Sequence, residues 1–550
     1  MGGGQTSSLK VTLAFVVDEM WEFYPNLASA EGLHNYDGRM PDLSEDAWRA
    51  RASQVRAGIA QLEPFDRRDV EGTLSMDLAL TRAALRKELF KIEGLRSRAW
   101  NPMDMLFSID VSNYVIRRYA PPAVRAAALT RALGRVPEVV EQMSDGLRGR
   151  VSRPILETSI EAYAGMADFY RTDLADAIGP LGAEALAAAL AGAVESAARA
   201  VDGFVEILRS RLEEAPEEFA LGAYSFRTLL SLGEMVDTPL ESLLAEGERD
   251  LRRNLESFRR LAEQIGPGRP LADVLKEIGK DHPTKASLVS DTRAMLEEIR
   301  SFCIERDVVT VPSEDRCEVK ETPRFMRWAF AAMDDAGVYE TNATEAYYYV
   351  TPPEDDWPAD KQEEWLTSFS YPLLKGISVH EAYPGHFTHH LHTRNIESKL
   401  GEVFGAYTFW EGWAHYTEEM MVEQGFAADD SRVRLGVLLE ALLRDCRYIC
   451  AIRMHTMGMT LDEATRFFME NAFIEELPAR KEATRGTFDP MYLSYTLGKL
   501  QIKRLREEYR ARLGDGFSLK AFHDRALSFG APPIPLLREA MARHGSVNAQ

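Results

Sequence analysis

The sequence predicts a mainly α protein with a small β element beside a cluster of histidines. Three observations carry that reading. Apolar residues recur at helical spacing from about residue 18 to 300, two short runs of β-branched and aromatic residues follow Asp307, and helical spacing returns after Lys375. A chain of 550 residues, 45% hydrophobic and 27% charged, has the composition of an ordinary globular protein with a large core.

The first clear helix is opened by Ser44, with Trp48, Ala52, Val55 and Ile59 repeating on one face. Further helices are expected over 121–143, behind Pro121-Pro122, and over 181–213, 236–265 and 284–306. Leu181 to Val194 is rich in Ala, the strongest helix former, and offers a face that neighbours can approach closely. No fixed-period repeat or long linker interrupts this half. It also holds no catalytic cluster, so residues 1–306 read as a helical scaffold and 307–550 as the metal-binding, catalytic region, packed as one unit. Val308-Val309-Thr310-Val311, ended by Pro312, and Tyr347 to Thr351, ended by Pro352-Pro353, are the expected strands. They are either a free edge for a ligand backbone or a structural hairpin. Later helices are expected over 377–400, 403–424, 431–457, 460–475 and 496–512. Gly458 ends the third of these, and Thr460 caps the next, with Asp462 and Glu463 in its first turn. The tail, Gly545 to Gln550, should fray.

A net charge of −21 argues against a nucleic-acid binder, which needs a basic face. Cys303, Cys317, Cys446 and Cys450 are too few for a disulfide scaffold and suggest a reducing compartment; Cys446 and Cys450 share a helix face and read as core. The apolar run Val11 to Val17 is too short to span a bilayer. The start Met1 to Thr6 fits a loose myristoylation pattern but reads as a disordered leader. A cytoplasmic protein with no membrane partner is the expectation.

Eleven histidines occur in the chain, and His380, His386, His389, His390, His392 and His415 fall within 36 positions. Imidazole is the commonest protein metal ligand. In the short zinc motif two His at i and i+4 share a helix face, and the Glu after the first is the general base. Here His380-Glu381 is followed by His386, six residues on and roughly 240° around an ideal helix. Pro384 and Gly385 lie between them, so a kink or bulge is expected to return His386 to the face of His380. The regular i, i+4 pair His386 and His390 is the rival. A third ligand is sought in Trp410-Glu411-Gly412-Trp413-Ala414-His415-Tyr416-Thr417-Glu418. Glu411 sits among aromatics, where an unpaired carboxylate is costly. Glu418 is the backup ligand or a partner to a liganding His, and His415 is a candidate for lining the pocket.

The run Glu411 to Glu418 resembles the Asn-Glu-Gly-Phe-Ala-x-Tyr-x-Glu run of aminopeptidase-N-type gluzincins, in which the first Glu is the third zinc ligand. His-Glu-x-x-Pro-Gly-His followed by Glu-Gly-Trp-Ala resembles the bacterial domain-of-unknown-function 885 family. That likeness runs from the segment Trp21 to Asp37 through to Tyr495-x-x-Gly498-Lys499. The resemblance implies a multi-helix, zincin-like metallopeptidase fold holding one zinc on His380, His386 and Glu411. The two-residue insertion separates this chain from short-motif gluzincins.

A zinc peptidase needs a base, for which Glu381 is the candidate, and a donor to the oxyanion. Tyr495, Tyr492 and His455 are the candidates for the second role; the gluzincin resemblance implies a Tyr, and Tyr495 is the one expected. Arg447 and Arg485 are candidates to bind a substrate carboxylate, with a structural ion pair as the plainer account of each. The expected activity is metal-dependent hydrolysis of short peptides. An amide hydrolase acting on a non-peptide metabolite and a non-catalytic metal-containing binding protein are the other readings.

Overall fold

The computed structural model describes residues 3–544 apart from 71, 175–183, 324–326, 328 and 329. The fold is mainly helical, with one three-stranded sheet. The start of the described chain corrects the expectation of a disordered leader. Gly3–Phe23 is a helix whose Leu9, Leu13 and Val16 pack on Val55, Leu62 and Leu78. Ser44 caps Glu45–Leu62 by accepting from the Ala47 N–H. Helices Pro122–Gly146, Arg153–Arg171 and Glu184–Ser210 close around a second apolar core. The first three residues of the Ala-rich run, and the tail from Gly545, lie outside the described residues. No helix among the described residues is long and apolar enough to cross a membrane.

The sheet differs from the expectation. Its order is β1 (Glu318–Glu321), β3 (Tyr347–Val350), β2 (Ala331–Asp334), with β1 parallel and β2 antiparallel to the central β3. The aromatic run 347–350 is a strand, buried throughout. Val308 to Val311 is not. Val308 and Val309 are buried, but side chains take the place of a ladder: His523 Nδ1 meets the Val308 carbonyl at 2.7 Å, and Asp524 accepts from the Thr310 amide and hydroxyl. β1 and β2 carry neither an apolar alternation nor a β-branched run, so they gave no signal; β3 recruits them.

Four later helices frame the centre of the molecule: Tyr371–Glu381, Tyr407–Glu423, Ser431–Thr456 and Ser494–Leu513. Leu461–Ala472 begins with the Thr460–Glu463 capping box. The crossing of Tyr407–Glu423 with Ser494–Leu513 rests on two glycines. A Cβ on Gly412 would lie 2.5 Å from the Gly498 Cα, and one on Gly498 would lie 1.9 Å from the Thr408 carbonyl oxygen. Only hydrogen fits there.

The N-terminal half packs directly on these elements. Glu234, buried, accepts from the amide and hydroxyl of Thr408 and so caps Tyr407–Glu423. Arg117 reaches Asp334 and the carbonyls of Asp335 and Glu345. Asp250, on helix Leu240–Ile265, meets the fully buried Lys499 at 2.7 Å, and Asn254 donates to Asp445 on Ser431–Thr456 at 2.7 Å. All four cysteines are free and buried, as core residues would be.

Candidate metal centre

The His-Glu helix ends at Glu381, and a new helix, His386–Thr393, begins after Ala382-Tyr383-Pro384-Gly385. The expected kink is thus a full break. The Gly385 N–H donates to the Val379 carbonyl (3.1 Å), and the Thr388 N–H to that of Ala382 (3.1 Å), so the backbone folds back on the helix it has left. A Cβ on Gly385 would lie 1.7 Å from the His380 carbonyl oxygen. The break turns a 240° offset into convergence: the His380 and His386 rings meet edge to face with centroids 4.9 Å apart.

Glu411 arrives from helix Tyr407–Glu423. Its Oε2 lies 3.4 Å from His380 Nε2 and 3.5 Å from His386 Nε2, and one ligand atom from each of the three residues falls within 4.8 Å of the others. That carboxylate oxygen is buried and makes no hydrogen bond. Three donors about 2.1 Å from a tetrahedral zinc stand about 3.4 Å apart, so the residues fit the ion. Among the described residues no other group of three or more His, Cys, Asp or Glu side chains converges in this way. His390, the rival ligand, turns instead toward Asp335, with Nδ1 and Oδ1 4.0 Å apart.

Glu418 takes the second of its two expected roles. Its Oε1 lies 2.7 Å from His380 Nδ1, leaving Nε2 to face the cluster. Burial opposes charge on Glu418, but Arg444, His415 and His380 together hold its carboxyl well below the usual range. His415 lies beneath it, buried, with Nδ1 3.2 Å from Glu418 Oε2; the structure makes it a support for Glu418 rather than part of the pocket wall.

Glu381 follows His380 but points to the sheet, where the Met333 N–H of β2 donates to its Oε2 (2.9 Å). Tyr495 stacks near His380, with ring centroids 6.3 Å apart, and the guanidiniums of Arg444, Arg447 and Arg485 lie 5.6, 5.0 and 5.8 Å from its ring centroid. Burial, and the charge of Glu411, raise its pKa despite Arg485 and Arg447. The hydroxyl therefore stays protonated at neutral pH and can donate.

The other two oxyanion candidates are placed elsewhere. Tyr492 is buried with its hydroxyl against Met454 and Gly486. His455 is buried against Phe226; its Nδ1 accepts from the Leu221 N–H (3.3 Å) and its Nε2 meets the Gly486 carbonyl (2.7 Å). With both nitrogens taken by backbone, it has nothing to offer a substrate. Arg447 is held by Glu482 through Nε and Nη2, both at 2.7 Å, which is an ion pair of the structural kind. Arg485 is 36% exposed and pairs with Asp489 at 3.0 Å, so it is the more available of the two.

Burial pushes His455 down to about 4, with the Gly486 carbonyl opposing it. A neutral buried imidazole that would ionise near 6.5 once unfolded makes the unfolded state bind the proton first. Its contribution is therefore lost as pH falls from about 6.5 toward 4, to a limit of about 3 kcal/mol. His455→Gln should flatten part of the fall in urea midpoint between pH 7 and pH 4. An unchanged profile would refute the assignment.

The family model described as "Bacterial protein of unknown function (DUF885)" matches residues 25–541. The chain belongs to the DUF885 family. No curated protein matches it. Among solved structures, a "putative lipoprotein of unknown function" from Shewanella oneidensis is similar at 23% identity, over 97% of this chain and 99% of that one, with a TM-score of 0.81. A "putative lipoprotein" from Colwellia psychrerythraea is similar at 16% identity, over 98% and 99%, with a TM-score of 0.80. At those identities the DUF885 chain shares their fold, from end to end. Of the site's supports, Glu418 was expected as a partner to a liganding His, whereas the roles of Arg444 and of the Gly412–Gly498 contact had no signal in sequence.

Proposed function

We propose that the protein is a zinc-dependent hydrolase acting on short peptides. The observation that carries the reading is the three-donor cluster of His380, His386 and Glu411, with the unligated Glu381 beside it. A structural zinc is usually closed by four protein ligands, whereas three ligands and an adjacent carboxylate suit a catalytic one. A zinc ion on these residues supplies a Lewis acid and acidifies water. Glu381, held through Oε2 by the Met333 amide, accepts the proton of the attacking water and later delivers it to the leaving amine. The Tyr495 hydroxyl donates to the oxygen on which charge develops.

A peptide is favoured over a metabolite amide by the strand beside the base. The Thr351 N–H to Phe330 carbonyl bond and the β2–β3 register make Ala332 and Asp334 the residues that bond to β3. The Met333 N–H is taken by Glu381, but the Met333 carbonyl and the backbone groups of Ala331 turn outward on the same edge, where an extended substrate can pair. The test is zinc content together with cleavage of a mixed peptide library, repeated with Tyr495→Phe. The wild type should hold one zinc and cut peptides, and Tyr495→Phe should lose about 10²–10³-fold in kcat with KM little changed. Zinc without cleavage of any peptide would send the search to non-peptide amides. No zinc uptake would remove the hydrolase reading.

The expected cytoplasmic location draws no support from the solved neighbours, whose descriptions as lipoproteins favour a cell-envelope setting.

A further inference from the structure

On the His386 side of the cluster lie two carboxylates, each lacking a cationic partner. Asp335 follows β2 directly, and Glu402 sits in the short helix Leu400–Val403. Asp335 Oδ1 is buried and makes no hydrogen bond. The nearby guanidinium of Arg117 is spent on Asp334 and on the carbonyls of Asp335 and Glu345. Glu402 accepts from Trp410 Nε1 through Oε1 (2.7 Å), and its Oε2 is buried without a partner. The nearby ammonium of Lys399 is bound to the carbonyls of Thr393 and Arg394.

Two imidazoles complete the group. His389 Nε2 lies 3.5 Å from Glu402 Oε2, and His390 Nδ1 lies 4.0 Å from Asp335 Oδ1. Both rings are at least nine-tenths buried, and the Nε2 of each lacks a hydrogen bond. His389 and His390 lie on the helix that His386 opens, and Trp410, which donates to Glu402, is the neighbour of Glu411, so both acids flank the cluster. The acids are not sealed in: the side chains of Asp335 and Glu402 keep 27% and 20% exposure, like the 19% and 20% of His386 and Glu411.

Burying carboxylates unpaired costs several kcal/mol each, and such groups cluster where a ligand supplies the missing charge. A second metal does not fit, because no three of these side chains bring ligand atoms together as the first cluster does. An ammonium group asks for less convergence, since it can bridge two acceptors. It carries its own three donors and needs only acceptors pointing inward. Burial, the main cause, pushes both acids up to about 8, so each keeps its proton at neutral pH until a bound cation draws it off.

We propose that Asp335 and Glu402, backed by His389 and His390, bind an ammonium group of the substrate next to the metal centre. This rests on the hydrolase reading above. The ammonium is either the peptide's α-amino group or a lysine side chain. Paired substrates separate the sources: Ala-Ala-Ala against its N-acetyl form, and N-acetyl-Lys-Ala against N-acetyl-norleucine-Ala. For one pair the wild type should prefer the cationic member by at least tenfold in kcat/KM. Asp335→Asn and Glu402→Gln, each checked for an unchanged circular dichroism spectrum, should bring that ratio toward one. Equal cleavage of both members of both pairs, or a preference that survives both substitutions, would overturn the proposal.

A binding arm keeps it separate from the fate of the hydrolase reading. Calorimetry with alaninamide, N-acetylalaninamide, N-acetyl-lysinamide and N-acetyl-norleucinamide needs no turnover. Tenfold tighter binding of one cationic ligand than of its neutral partner, lost in Asp335→Asn, supports the pocket even if no peptide is cut. No difference within either pair refutes it.

Discussion

Replacing Glu381 by Gln should lower peptide turnover by about 10²–10⁴-fold while zinc content stays at the wild-type level. The side chain is next in sequence to the proposed ligand His380, yet it is not one of the three donors that converge. Its Oε2 accepts from the Met333 amide, and the Gln carbonyl oxygen can accept the same bond, so the loop and β2 keep their places. Only the capacity to take a proton is removed. Atomic absorption alongside kcat on the best library peptide checks both halves of the statement. If zinc is lost with activity, Glu381 belongs to the binding set. If activity persists, the proton goes elsewhere and the proposed mechanism fails.

The second large effect is expected from a residue that touches neither metal nor substrate. In Gly498→Ala the new methyl would stand 1.9 Å from the Thr408 carbonyl oxygen and 2.7 Å from the Gly412 Cα. Both obstacles are backbone, so helices Tyr407–Glu423 and Ser494–Leu513 must separate by roughly 1 Å, a cost of about 3 kcal/mol. Separation also pulls Glu411, beside Gly412, away from the two imidazoles, and it shifts Tyr495, one turn before Gly498. The variant should show a lower urea midpoint together with weaker zinc binding, measured by competition with a chelator. A lower midpoint with unchanged zinc affinity would show that the crossing supports the fold alone.

Much of the cluster was legible because a candidate metal site needs particular side chains in quantity. His380, His386 and Glu411 stand out by type and spacing, and the proline and glycine between the histidines announced a distortion. What was illegible depended on contacts distant in sequence. Glu418 as the partner of His380 is a choice between two carboxylate roles that spacing alone leaves open. His455 carries a ring like any ligand, and only the Leu221 amide and Gly486 carbonyl reveal that both its nitrogens are taken. The strands failed for a related reason. Val308 to Val311 has β-forming residues but no strand beside it, while Glu318–Glu321 and Ala331–Asp334 are held in the sheet by Tyr347–Val350 alone. The helices, whose pairing is internal, were read more accurately, the break at Glu381 and the first helix aside.

The ion pair between Lys499 and Asp250 bears on when the site can exist at all. A ribosome releases the chain from its N-terminus, so the helix bearing Asp250 and Asn254 is made long before Lys499. Asn254 meets Asp445 only after 191 further positions, and Asp250 waits longer still for its buried ammonium. Loop closure over such spans is among the last entropic costs a chain meets. Lys499 is one turn from Tyr495, so the interaction that secures the early helix also seats the proposed oxyanion donor. Assembly of the centre is thereby deferred to the closing stage of synthesis, and a nascent chain halted before residue 499 holds His380, His386 and Glu411 without the helix that packs Glu411 toward the two imidazoles.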